Sequence, residues 1–180
     1  MKFRARLIPA GALVVALAAS ALLHARSDMP DAMALQDDGI GPLRLGLDYD
    51  TAARAARRVA PDTFMAGIGC GGRDEITYSG RLAGLPATAM AMADGGTVNE
   101  VEITLDTVRQ AEHETACIAE RDQLATHFAA RFGPERDRWT VPKPVSSEHM
   151  VQVGPVVVVA RWFATGRSCY VSAAYGGADG

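Results

Sequence analysis

The stretch from Ala111 to Phe132, AEHETACIAERDQLATHFAARF, constrains this chain more than any other. At roughly 100° per residue, Cys117, Leu124 and Phe128 fall within about 20° of one line. Ile118, Ala125 and Phe132 widen that line into an apolar stripe, while Glu112, Glu120, Asp122 and Arg131 lie mostly away from it. The pattern predicts an amphipathic helix with a cysteine at the centre of its core face. Such a helix must bury that face against another layer, and strand-like segments lie on both sides of it in the chain.

Before it, Ile40 to Leu47 alternates Leu43, Leu45 and Leu47 and reads as a short edge strand. Asp48 is an N-cap candidate for a helix to about Ala60, with Ala52, Ala55, Ala56 and Val59 on its buried face. Arg54, Arg57 and Arg58 make the opposite face, and Pro61 ends the helix. Gly67 to Gly72 reads as a loop. Glu75 to Ser79, Leu85 to Ala93 and Thr97 to Asp106 read as strands, with Asp94-Gly95-Gly96 a hairpin turn. Beyond the central helix, Gly133-Pro134 is a stop signal. Arg138 to Val141, His149 to Val153, Pro155 to Phe163 and Ser168 to Tyr175 are the later strands. The run Val156 to Val159 suggests a strand buried on both faces. The expected fold class is α+β, two helices packed on an antiparallel β-sheet. Helix-then-strands occurs twice, the pattern of two such modules.

Lys2, Arg4 and Arg6 precede a nearly unbroken apolar run from Leu7 to Leu23, the pattern of a secretory signal peptide. Residues 1–25 are read as that signal, with Ala32-Met33-Ala34 offering a later cleavage site, up to residue 34. Residues 26–39 are read as a flexible leader and 40–176 as a single α+β domain. The expected location is periplasmic or secreted; the alternative is anchoring to the inner membrane by an uncleaved N-terminal helix. With the signal cleaved, the mature chain would not span a membrane. The formal net charge is −3, and loss of residues 1–25 removes three positive charges and leaves −6. An acidic mature chain argues against a nucleic-acid partner.

An oxidising compartment makes three cysteines one pair and one spare thiol. Cys117 on the helix core face and Cys169 on the apolar face of the last strand both point inward, which favours Cys117–Cys169. Cys70, set among glycines, can adapt to many partners, so Cys70–Cys117 is the alternative.

His113-Glu114-Thr115-Ala116-Cys117 has the spacing of the HExxH zinc motif with cysteine as the second ligand. The next histidine, His127, is about 20 Å further along the helix axis, so no metal site is expected. A cysteine nucleophile fits poorly with an apolar stripe. The chain has no CxxC, no GxSxG and no phosphate loop. No catalytic residue and no cofactor is expected. Arg54, Arg57 and Arg58 are candidates for an anionic partner. Trp139, with Trp162 and Tyr170, is a candidate for lining a groove.

Gly39-Ile40-Gly41-Pro42-Leu43-Arg44-Leu45-Gly46-Leu47 enters an alanine-rich helix. Asp94-Gly95-Gly96-Thr97-Val98 then feeds a strand, followed by Cys117 and a helix ending Phe132-Gly133-Pro134. This arrangement resembles the SmpA/BamE-like and β-lactamase-inhibitor-like modules of the bacterial envelope. The resemblance implies helices packed on an antiparallel sheet and a role in binding protein partners. No lipid-attachment cysteine follows the apolar run, a departure from the lipid-anchored members. The expected function is an exported, non-enzymatic binding or accessory module that contacts another envelope protein. The alternatives are a small periplasmic enzyme or ligand-binding protein, and a periplasmic hydrolase inhibitor that uses Gly67 to Gly72 or Pro142 to Ser147 as its loop.

Overall fold

The structure is a computed structural model, and it describes residues 32–106 and 109–176, with the backbone alone for 109 and 110. The expected signal at 1–25 and the leader as far as residue 31 lie outside the described residues.

Three short strands open the described chain: β1 (Leu35–Gln36), β2 (Gly39–Ile40) and β3 (Leu43–Arg44). They pair antiparallel as a sheet of their own. This corrects the single strand expected from Ile40 to Leu47. Gly41 sits at φ +51° and is followed by Pro42, which has no N–H, so the chain turns back between Ile40 and Leu43. Residues read as leader also join the folded body. Met33 and Gly39 are buried, and the Tyr78 hydroxyl donates to the Ala32 carbonyl at 2.5 Å.

Helix α1 (Tyr49–Val59) starts where its cap predicts. Asp48 accepts a hydrogen bond from the Thr51 N–H at 2.9 Å, which satisfies one of the free donors of the first turn. Its buried residues are Ala52 and Ala56, whose small side chains allow a close approach to β3 and to β5 (Asp74–Leu82). Between them lies β4 (Met65–Ile68), paired antiparallel with β5. The loop expected from Gly67 to Gly72 thus begins inside a strand. All four β4 residues are exposed, so no inward–outward alternation marks them in the sequence.

The chain continues as β6 (Leu85–Asp94), β7 (Thr97–Leu105) and β8 (Arg109–Gln110). Gly95 and Gly96 both have positive φ in the β6–β7 turn, as a tight hairpin requires. Helix α2 (Glu114–Phe132) follows, with His113 at its N-cap and Gly133, at φ +88°, as its stop. Four strands end the chain: β9 (Glu135–Pro142), β10 (Ser147–Val153), β11 (Val156–Phe163) and β12 (Ser168–Tyr175). Helix α2 packs on β10, β11 and β12 and reaches β9 through Asp122 and Arg138.

The large sheet has the order β4-β5-β6-β7-β12-β11-β10-β9, with every neighbouring pair antiparallel and β8 added to β12. The α+β class holds as two helices with a mostly antiparallel sheet, and the sheet is the larger part. The first helix precedes β4 to β8 and the second β9 to β12, and the two sets join where β7 and β8 meet β12, with Val101 opposite Tyr175.

The register assigns the faces. Ile76, Ala91, Val101, Tyr175, Val156 and Val153 form one cross-strand row, and all are buried. Cys169 lies on this face and is bonded to Cys117 of α2, across a sequence separation of 52. Phe128 of α2 meets Tyr175 edge-on at 6.5 Å. The run Val156 to Val159 is buried on this side, while Val157 and Val159 on the other remain half-buried. The expectation of burial on both faces is therefore corrected.

The polar flank of α2 also departs from the sequence reading, because Glu120 and Arg121 are buried. Arg121 is 2% exposed and donates from Nε and Nη2 to Asp122. Asp122 in turn accepts from Arg138 of β9, which also holds Glu135. A buried guanidinium is tolerated because its charge is paired. Among the described residues, no helix is long and apolar enough to cross a membrane.

Candidate functional site

The residues singled out by sequence fall in three places. The first is the sheet face opposite Cys169. The row Trp139–Met150–Val159–Ser172–Thr104–Thr88 runs across it from β9 to β6, and Val157, Ala174, Glu102 and Met90 form the next row. These side chains are half-buried. The first row is apolar from β9 to β11, while the second continues from Val157 to Gln152 and Asp137; on the β12–β6 side serine, threonine and glutamate lie among Ala174 and Met90. Trp139, Met150, Val157 and Val159 are apolar neighbours on this face, each half-buried, and grouped apolar residues at a surface are the kind of patch that marks interaction sites.

At one end of this face is a cleft of about 420 Å³ lined by Val145, Arg161, Phe163 and Tyr170. Phe163 and Tyr170 meet edge-on at 5.7 Å. Arg161 Nε donates to Glu148 at 2.6 Å, and Lys143 reaches the same carboxylate oxygen at 2.7 Å. Burial alone pushes the Glu148 carboxyl up. The Lys143 and Arg161 hydrogen bonds and charges outweigh it and hold the group below its ordinary value. The site therefore offers aromatic edges and a paired, fixed charge.

The second place is the arginine face of α1. Arg54, Arg57 and Arg58 are all exposed. Arg54 donates to Thr51 at 3.1 Å, and the Arg57 guanidinium lies 4.9 Å from the centre of the Phe64 ring. Arg54 and Arg57 line one cavity, and Arg58 is not part of it. Trp139 is on β9 at the far end of the sheet from these arginines, so the four candidates do not form one site.

The third place is the start of α2. Cys117 of the HExxC pattern is bonded to Cys169, and His113 is exposed at the N-cap. Glu114 is engaged with β10. It accepts from the Ser147 hydroxyl, and its Oε1 lies 2.7 Å from His149 Nε2. His149 Nδ1 lies 3.0 Å from Thr140 Oγ1. The Ser147 and His149 hydrogen bonds hold the Glu114 carboxyl below its ordinary value. Serine and histidine both bind the carboxylate rather than each other, an arrangement that fastens the helix start to β10. Sequence spacing could not show this, because Ser147 and His149 are more than thirty residues from Glu114.

Cys70 is an exposed free thiol beyond β4. Among the described residues, no group of three or more His, Cys, Asp or Glu side chains is placed to hold a metal ion. No protein-family model matches the chain, and neither a curated protein nor a solved structure matches it.

Proposed function

We propose that this chain is an exported, non-enzymatic binding module of the bacterial envelope that contacts another envelope protein. In this reading its two helix-then-strands halves form one layer, with both helices on the Cys169 side of the sheet. The contact surface is the opposite face. The observation that carries the reading is the apolar patch of Trp139, Met150, Val157 and Val159, beside the Phe163–Tyr170 cleft. Such a surface, apolar at its centre and charged at its rim through Arg161 and Lys143, has the anatomy of a protein contact. Export is supported by the Cys117–Cys169 disulfide, which suits an oxidising compartment, and by the Lys2–Leu23 signal pattern.

The test is a crosslinked pull-down of the tagged chain from its own host, alongside a Met150→Arg/Val159→Glu double variant. The expected result is one envelope protein recovered in near-equal amount with the parent chain and at least about tenfold less with the variant. Equal recovery by both would place the contact elsewhere. Recovery of nothing above background by either would remove the reading.

A further inference from the structure

The two ends of the large sheet are built differently. At one end, β9 carries Glu135, Arg136, Asp137 and Arg138 and finishes at Pro142. Charges and proline on an edge strand discourage the addition of another strand. At the other end, β4 reads Met-Ala-Gly-Ile, with no charge and no proline. Met65 is 68% and Ile68 79% exposed. One side of β4 pairs with β5, and no described strand pairs with the other. Large apolar residues at such exposure leave an open template for backbone pairing.

This edge is flanked by a groove. A cavity of about 530 Å³ lies between α1 and β4, lined by Tyr49, Ala53, Arg54 and Arg57 of the helix and by Phe64 and Ala66. From Tyr49 to Arg57 the helix runs about 12 Å at 1.5 Å per residue. Four residues of an extended strand span about 13 Å. A four-residue segment added to β4 therefore runs the full length of the helix wall. The small side chains of Ala53 and Ala66 leave the room, and Gly67 has nothing within 4 Å of where a Cβ would stand.

The charge of the groove selects its occupant. Asp50 stands at the end where the helix starts, and Arg54 and Arg57 follow along the wall. Among the described residues neither guanidinium is in an ion pair. Arg54 bonds a neutral hydroxyl and Arg57 lies over an aromatic ring. Neither is held in a direct ion pair, although the Arg54 charge also acts on the Asp48 carboxylate, and the strand beside them supplies no charge of its own.

We propose that the groove between α1 and β4 takes an extended acidic peptide segment of another protein as an added strand, its backbone pairing with β4 and its carboxylate meeting Arg54 and Arg57. This is strand addition with a helix as the second wall. It does not depend on the Trp139–Val159 face being a contact surface.

The probe is a phage-displayed library of random heptapeptides selected on the full exported protein, followed by synthesis of the enriched peptide. The expected peptides alternate apolar residues with an Asp or Glu. The enriched peptide should shift backbone amide signals in 53–57 and 64–68. Its Kd should rise about tenfold or more in Arg54→Glu/Arg57→Glu, and again in Ala66→Trp, which fills the groove. All three positions are exposed, so an unchanged melting temperature shows that the variants fold; should Ala66→Trp fail to fold, the arginine pair decides alone. Several results would overturn the proposal: no enriched acidic motif, shifts confined to the Trp139–Val159 face, or binding indifferent to the arginine pair. Self-association abolished by Ala66→Trp would overturn it as well, in favour of a second copy as the occupant of β4.

Discussion

Glu114 shows how far a local motif underdetermines a residue. Its place in HExxC suggests a ligand or a solvated helix start, yet in the fold it receives Ser147 and His149 from β10. The carboxyl is held below its ordinary value in the folded state. Stability from this contact is present above the unfolded-state pKa and lost as pH falls through the lower folded-state value. Replacing Glu114 by Gln should cost about 1 kcal/mol at neutral pH, the partly exposed site keeping the effect small. The gap between parent and variant should close as the pH falls below the ordinary glutamate value of about 4.3. Urea denaturation at several pH values checks this, and a gap independent of pH would show that the carboxylate charge is not the cause.

Helix α2 was legible in the sequence because its apolar stripe repeats over five turns. Its start lies three residues later than expected, at Glu114, and its buried arc takes in Arg121, which the stripe does not contain. That difference has a physical cause. Periodicity reports where apolar side chains go, whereas Arg121 is buried through its pairing with Asp122, which also holds Arg138 on a strand later in the chain. The element is also fastened covalently. The Cys117–Cys169 bridge closes a loop of sequence separation 52 and should contribute about 4 kcal/mol through the entropy of the unfolded chain. A Cys117→Ala/Cys169→Ala variant should lower the denaturation midpoint accordingly, and dithiothreitol should destabilise the parent chain but not the variant. Equal sensitivity of both to the reductant would assign the effect to something other than this bridge.

At the scale of the whole molecule, one strand separates the two faces residue by residue. Val158 and Val159 are neighbours, yet Val158 is fully buried on the Cys169 side and Val159 is half-buried on the other. Val158→Asp should cost more than about 4 kcal/mol, since it places an unpaired carboxylate in the core. Val159→Asp should change stability by less than about 1 kcal/mol. Thermal denaturation of the two variants, side by side, checks the face assignment. Comparable losses would mean that the Val159 face is covered as well.

Local chemistry settled a good deal without the fold. Asp48 as a cap, the alanine face of α1, the stripe of α2, the Asp94-Gly95-Gly96 turn and the alternation of β7 all act within a few residues, through hydrogen bonds and side-chain periodicity that a sequence displays directly. The choice of Cys169 over Cys70 for Cys117 was left open by the sequence, because it depends on which strand lies beneath the helix. The same holds for β4, whose four exposed residues carry no alternation and form a strand by pairing with β5. It holds for Glu114, whose partners come from β10, and for Val159, whose exposure depends on what packs above it. In each case the deciding contact joins residues distant in the chain, and the energy that selects it exists once the sheet has been assembled.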